Sequence, residues 1–117
     1  IFSKIDEHYP ATISPKVIQE VIRGYIAFDG LLISDDLSMQ ALSGDFKERA
    51  KAALGAGCDV VLHCNGKMDE MVSVVAGAQP MTDTACRRWL TAVDLLPKIE
   101  PLDPIETLAQ FNHLMKI

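Results

Sequence analysis

The chain has 117 residues, of which 49% are hydrophobic and 23% are charged, and its formal net charge is −5. This composition is typical of a globular domain rather than of a disordered segment. The acidic balance argues against nucleic acid and anionic membranes as partners, because both bind basic patches. No apolar run approaches the ~20 residues of a membrane span, so we expect a globular protein without one.

The chain begins at Ile1 rather than at a methionine, and its first residues, "IFSKIDEHYP", do not form a signal peptide. We therefore expect a chain cut from something longer. Its three cysteines, Cys58, Cys64 and Cys86, match neither a disulfide framework nor paired zinc ligands. Their usage suits a reducing compartment and predicts a cytoplasmic protein, with Cys58 and Cys64 buried in the core.

The first predicted helix lies in "ATISPKVIQEVIRGYI", where Ser14 is a good N-cap and Pro15 occupies the first helical position. Its apolar stripe at helical spacing consists of Val17, Ile18, Val21, Ile22 and Tyr25. The run "LLIS", residues 31–34, then predicts a short strand that is covered on both faces.

A second helix is predicted in "DFKERAKAALGAG", with a capping box at Asp45 and Glu48 and a glycine stop. Its inward residues are Phe46, Ala50, Ala53 and Leu54. "DVVLHC" predicts a second apolar strand, and "MDEMVSVVAGA" predicts a third helix. The inward residues of this third helix are expected to be Met68, Met71, Val72 and Val75.

A fourth helix is predicted in "TDTACRRWLTAVDLL", capped by Thr82 or Asp83, with Arg87 and Arg88 on a solvated face. Three prolines then indicate a linker, followed by a short helical tail. We divide the chain into βα units at residues 1–96 and a linker with its tail at residues 97–117.

Alternating helices and fully apolar strands predict an α/β fold with parallel βαβ units. Two strands are clear, and Ile1-Phe2 is a candidate remnant of a third. Because a sheet this narrow leaves both edges open and cannot cover its apolar strands, we expect the chain to complete a larger parallel structure.

Two adjacent acids, Asp35 and Asp36, follow the first predicted strand directly. Functional side chains of α/β folds gather at the carboxyl ends of strands, although acids there also serve as caps or solvated loop residues. Because successive strand residues point to opposite faces, only one of the two acids can point into a site. Alternation places Asp35 opposite Ser34 but does not decide which set is inward.

The second strand ends in His63-Cys64-Asn65-Gly66. His63 is interpreted as a hydrogen-bonded structural histidine rather than a ligand. Asn65 either binds a ligand or forms the turn with Gly66. A metal site needs more convergent ligands than the chain supplies, so no metal is expected.

Three segments carry a family resemblance in order and spacing: "PATISPKVI", "FDGLLISDDLSMQAL" and "ERAKAALGAGCDVVLHCN". Together they resemble the C-terminal part of the catalytic barrel of glycoside hydrolase family 3, in particular its bacterial β-N-acetylglucosaminidases (β-hexosaminidases) of peptidoglycan recycling. The similarity covers residues 1–96. It implies a (β/α)8 barrel of the TIM type, of which these strands are the seventh and eighth, and a full barrel takes ~250 residues.

The resemblance also implies a retaining glycosidase in which Asp35 is the nucleophile, and Asp36, Ser38 and Met39 shape and support the site. Such an enzyme removes terminal β-linked N-acetylglucosamine from cell-wall muropeptides and needs no cofactor. Its acid/base, a His–Asp pair on a loop, is expected upstream. The partners implied are therefore the carbohydrate and the N-terminal remainder of the same enzyme.

Two other interpretations stay open at this point. The chain could belong to a non-catalytic binding or assembly module derived from the barrel. Alternatively, Asp35 and Asp36 could hold Mg²⁺, as acids do in phosphoryl-transfer proteins.

Overall fold

The computed structural model describes residues 2–97 and 101–116. Helices flank a two-stranded parallel sheet. In chain order the elements are a 3₁₀ turn (Ala11–Ile13), a π-helix (Lys16–Tyr25), β1 (Ile33–Asp36), α1 (Phe46–Ala56), β2 (Val60–Leu62), α2 (Met68–Gly77), α3 (Asp83–Asp94) and α4 (Pro104–Met115). This confirms the predicted α/β class with two parallel strands.

Strand β1 begins two residues later than the sequence predicts, so both acids lie inside the strand rather than after it. Pairing with β2 keeps the chain extended through them: Ile33 lies opposite Val60, and Asp36 opposite Leu62, with an irregularity in between. The N–H of Leu37 still donates to the carbonyl of Leu62 at 2.9 Å.

The helix Lys16–Tyr25 starts as predicted, because the hydroxyl of Ser14 accepts the N–H of Val17 at 3.0 Å. Its hydrogen bonds span five residues rather than the four of an α-helix, as the N–H of Ile26 donates to the carbonyl of Val21 at 2.8 Å. The prediction that Tyr25 faces inward is wrong, since the side chain is 91% exposed. Tyr25 lies seven residues after the buried Ile18, which is about two turns of an α-helix but fewer than two turns of an i→i+5 helix. The wider helix therefore turns Tyr25 away from the face that Ile18 buries.

Helix α1 forms the centre of the core. The predicted capping box is present, with the side chain of Asp45 accepting the N–H of Glu48 at 2.8 Å and Glu48 accepting the N–H of Asp45. The helix ends at Gly57, whose φ of 120° favours glycine. The cluster of buried residues around it consists of Ile18, Leu37, Leu42, Ala50, Ala53, Ala56, Cys58 and Val74.

Helix α2 packs on α1 through a different face from the predicted one. The four residues expected inward, Met68, Met71, Val72 and Val75, are exposed. Val74 and Gly77 are buried instead. A Cβ on Gly77 would lie 2.1 Å from the carbonyl oxygen of Lys47, so the two backbones approach closely at this glycine. This approach, rather than the largest apolar residues, selects the buried face.

Helix α3 begins as predicted, with the Thr82 hydroxyl accepting the N–H of Ala85 at 3.1 Å. The prediction that Arg88 is solvated is wrong, because its side chain is only 14% exposed. Its guanidinium donates to Asp59 at 2.9 Å and to Asp29 at 2.7 Å. Asp59 also accepts from Arg23 at 2.8 Å. We call Arg23, Asp29, Asp59 and Arg88 the arginine clamp; its two acids precede β1 and β2 in the chain.

The tail forms the predicted helix, α4, with Pro104 in its first turn and Asp103 as its cap. Of the predicted linker, residues 98–100 lie outside the described residues, as does Ile1 of the candidate third strand. Phe2 begins a turn, since its carbonyl accepts the N–H groups of Ile5 and Asp6. Among the described residues, every helix is too short or too polar to span a membrane.

The radius of gyration is 18.5 Å, compared with about 13 Å expected for a compact domain of this length. Large apolar side chains are correspondingly exposed on both the sheet and the helices, including Ile33 at 47% and Leu62 at 42%. The fold therefore presents apolar surface that a compact domain would cover.

Candidate active site

Asp35 lies on the open face of the sheet. The helices cover the other face, where Ser34 is 6% exposed, whereas Ile33 on the open face is 47% exposed. Asp35 follows Ser34 and is itself exposed. The burial pattern thus shows which strand residues point to which face, a point that the sequence left open. Asp35 projects from the open face, and Asp36 projects from the face that the helices cover.

The backbone at Asp35 is anchored to β2 through Ser34. The hydroxyl of Ser34 donates to the carbonyl of Asp35 at 2.8 Å and accepts the N–H of Leu62 at 3.0 Å. The Oδ1 of Asp35 accepts the N–H of Asp36 at 2.8 Å. These bonds fix the strand end and leave the carboxylate accessible from the open face.

Asp36 joins β1 to the segment that follows β2. Its carboxylate accepts the hydroxyl and the N–H of Ser38, at 2.5 and 3.0 Å, and the N–H of Cys64 at 3.3 Å. The Ser38 hydroxyl, followed by its backbone N–H, holds the pKa of Asp36 below its usual value. Cys64 itself is exposed, so the prediction that it is a core residue is wrong, whereas Cys58 is buried as predicted.

Met39 is half-buried in the loop after β1, where its N–H donates to the carbonyl of Asp36 at 3.2 Å. This loop is held by Arg49 of α1, whose guanidinium donates to the carbonyls of Leu37 at 2.8 Å and Met39 at 3.2 Å. Sequence reasoning did not find Arg49, because nothing local distinguishes it from other helical arginines.

Asn65 forms the turn after β2, one of its two predicted roles. Its Oδ1 accepts the N–H of Lys67 at 3.0 Å, and Gly66 beside it has a φ of 72°. Its Nδ2 donates to Glu70 on α2. The Asn65 amide, followed by Lys67, lowers the pKa of Glu70. The polar groups of Asn65 are thus engaged within its own loop.

His63 is buried between two carboxylates. Its side chain is 5% exposed; Nδ1 lies 3.8 Å from Oδ1 of Asp36, and Nε2 lies 3.3 Å from Oε2 of Glu70. Neither ring nitrogen has a hydrogen-bond partner among the described residues, so the expectation of a hydrogen-bonded structural histidine is wrong. The ring packs edge-on against Phe46 at 4.9 Å between centroids.

The structure therefore brings Asp35, Asp36, Ser38 and Met39 together at one strand end. An exposed carboxylate at this position can act as a nucleophile or as a general base. Cavities of about 710 and 380 Å³ lie elsewhere, beside the N-terminal segment and at the start of α3, and neither is lined by Asp35. Within residues 2–97 and 101–116, no group of three or more His, Cys, Asp or Glu side chains is arranged to hold a metal ion.

These features define an α/β chain with a carboxylate presented at the carboxyl end of a parallel strand. The profile of the Glycosyl hydrolase family 3 N terminal domain matches residues 1–91. The chain belongs to glycosyl hydrolase family 3, as the sequence motifs predicted.

Curated relatives of this chain carry the name β-hexosaminidase. The protein from Bordetella pertussis is 44% identical over 120 residues, and that from Bordetella avium is 39% identical over 121; both alignments cover 100% of this chain and 33% of the relative. The protein from Tolumonas auensis is 43% identical over 81 residues, which are 68% of this chain and 24% of the relative. The chain thus spans a third or less of the length of these relatives.

Proposed function

We propose that the whole protein containing this chain is a retaining glycoside hydrolase that removes terminal β-linked N-acetylglucosamine from muropeptide-type substrates. The observation that carries the proposal is the exposed carboxylate of Asp35 at the carboxyl end of β1, on the open face of the sheet. Family membership and the name of the relatives support it.

In this mechanism the ionised carboxylate of Asp35 attacks the anomeric carbon as the leaving group departs, and forms a covalent glycosyl-aspartate. Water then hydrolyses this intermediate, so that the sugar keeps its β configuration. A separate acid/base protonates the leaving oxygen and later activates the water. The family resemblance implies that a His–Asp pair, located earlier in the whole protein, has this role.

We further propose that β1 and β2 are the seventh and eighth strands of a TIM-type barrel. Residues 1–96 would form the C-terminal part of this barrel, and residues 97–117 a linker and tail. The open face that carries Asp35 and Ile33 would then line the barrel interior, and the N-terminal remainder would supply the other strands. The exposed apolar residues on this face and the length of the relatives support this arrangement.

Asp36, Ser38 and Met39 support the strand end in this proposal, and Asn65 shapes the loop beside it. The proposed reaction requires no metal or cofactor, since Asp35 supplies the nucleophile and the separate acid/base supplies the proton transfers. A cytoplasmic location is also proposed, on the grounds that the three cysteines are free.

The test is hydrolysis of an aryl β-N-acetylglucosaminide by the whole protein and its variants. Asp35→Ala should reduce turnover by several orders of magnitude, whereas Asp69→Ala, which removes an exposed acid of α2, should retain it. Azide should restore release of the aryl alcohol by Asp35→Ala and yield the α-glycosyl azide, because it replaces the carboxylate as nucleophile. Near-normal turnover of Asp35→Ala would overturn the proposal. Sugar binding without turnover by the unsubstituted protein would favour the non-catalytic module.

A further inference from the structure

His63 is a buried polar side chain that the proposed mechanism leaves unused. It follows β2 directly, and its ring is enclosed by groups from three elements: Asp36 of β1, Phe46 of α1 and Glu70 of α2. Both ring nitrogens are buried, and within the described part of the chain neither has a hydrogen-bond partner. A buried imidazole without hydrogen bonds is destabilising, so its placement needs a reason.

The groups that face the two nitrogens are both carboxylates. Ionised carboxylates only accept hydrogen bonds, so each contact is favourable when the ring nitrogen donates. The separations of 3.8 Å to Asp36 and 3.3 Å to Glu70 are close to hydrogen-bonding distance. A small rotation of the ring or of either carboxylate would let the imidazole bridge the two acids. Lys67 adds a positive charge beside Glu70, with its Nζ 3.1 Å from Oε1 of that residue.

Each of these acids is connected to a different part of the site. Asp36 donates its N–H to Oδ1 of Asp35 and accepts the N–H of Cys64. Glu70 accepts from the side chain of Asn65 in the turn after β2. The ring of His63 therefore lies between the strand end that carries Asp35 and the turn that borders it.

We propose that His63 is a positioning residue that ties Asp36 to Glu70 and so fixes the direction in which Asp35 presents its carboxylate. The inference rests on the proposed role of Asp35 as nucleophile. His63 lies on the helix-facing side of the sheet and does not touch the sugar. Its effect is on the angle of attack rather than on substrate affinity.

The first test is steady-state kinetics of the whole protein. His63→Leu keeps a similar volume but removes the donors, and should lower kcat by about tenfold or more with KM changed less than about twofold, because small misplacements of a reacting group are costly. His63→Gln keeps an amide donor and should recover part of the loss. Val74→Ala, a buried packing change elsewhere on α2, should lower the melting temperature but leave kcat unchanged.

The second test does not depend on activity. The Ser38 hydroxyl is the largest cause of the lowered pKa of Asp36, and the Asn65 amide of that of Glu70; the neighbouring His63 adds a smaller lowering to both. NMR titration of His63→Leu should therefore show both carboxyl pKa values raised, and His63→Gln should show the same direction. Unchanged pKa values in either variant would overturn the inference.

The two proposals fail in different ways. If Asp35→Ala abolishes turnover while both His63 variants keep the kcat of the unsubstituted protein, the inference is wrong and the proposed function stands. If Asp35→Ala retains turnover, the proposed function is wrong. The titration then decides whether His63 interacts with both acids, and the role in directing Asp35 is withdrawn.

Discussion

The backbone N–H of Asp36 donates to Oδ1 of Asp35 at 2.8 Å, although the two side chains project from opposite faces of β1. Adjacent acids would repel each other if they shared a face. Here one carboxylate is engaged by Ser38 and Cys64, while the other is accessible from the open face. Strand alternation thus separates a structural acid from one that is available for chemistry.

Ser38→Ala should raise the pKa of Asp36, because the Ser38 hydroxyl is the largest cause of its depression below 3.8. A depressed pKa in the folded state stabilises the protein above the unfolded value, and this stabilisation is lost as pH falls through the folded pKa. The variant should therefore be less stable than the unsubstituted protein at neutral pH, and the difference should shrink below about pH 3.8. NMR titration and denaturation at several pH values measure both effects.

Ser43→Ala is the matched control, since Ser43 is exposed in the loop after β1. It should leave the pKa of Asp36 unchanged. An equal pKa shift in both variants would contradict the assigned role of Ser38.

Two glycine-to-alanine substitutions should have opposite effects on stability. A Cβ on Gly77 would meet the backbone of Lys47 at 2.1 Å, so Gly77→Ala should force α2 away from α1 and destabilise the protein by about 1–3 kcal/mol. Gly55 lies inside α1 with nothing within 4 Å of the added Cβ. Gly55→Ala should stabilise by roughly 0.5–1 kcal/mol through helix propensity. Denaturant unfolding measures both, and similar effects of the two changes would contradict this packing.

Arg88→Met should destabilise the protein far more than Arg87→Met. Arg88 is 14% exposed and pairs with Asp59, whose side chain is 6% exposed. Breaking such a pair costs about 3 kcal/mol, at the lower end for buried pairs because Arg23 still holds Asp59. Arg87 pairs with Asp29 from a 58% exposed side chain, and its loss should cost less than about 1 kcal/mol. Equal losses of melting temperature would show that the arginine clamp does not stabilise α3.

Residues 1–117 expressed alone should aggregate or bind a hydrophobic dye strongly. The reason is the exposed apolar surface of the sheet and helices together with the open strand edges. Size-exclusion chromatography and dye fluorescence measure this, with the whole protein as the control. A monomeric species that unfolds cooperatively would contradict the proposal that the N-terminal remainder supplies the other strands of a barrel.

Features with local causes were predictable from the sequence. The caps at Ser14, Asp45 and Thr82 depend on residues three positions apart, and all three are present. Two parallel strands joined through a helix also followed from the apolar runs. The exact position of β1 did not, because pairing with β2 rather than hydrophobicity extends the strand through the acids.

Features with distant causes were missed. The burial of Arg88 depends on acids about 30 and 60 positions earlier in the chain. The buried face of α2 depends on the close approach of Gly77 to Lys47, whereas the helix has apolar residues on several faces. Glu70 became part of the candidate site because Asn65 and His63, both after β2, contact it. The sequence identified Asp35 and its neighbours through a motif, but not the side chains that hold them.

The arginine clamp and the candidate site lie at opposite ends of the same two strands. Asp29 and Asp59 come before β1 and β2, whereas Asp35 and Asn65 come at or after their carboxyl ends. Substitutions in the loops at the carboxyl ends should therefore disturb the arginine clamp little, because it lies at the other end of the strands. Under the proposed function, substrate range would depend on one end of these strands and thermal tolerance on the other.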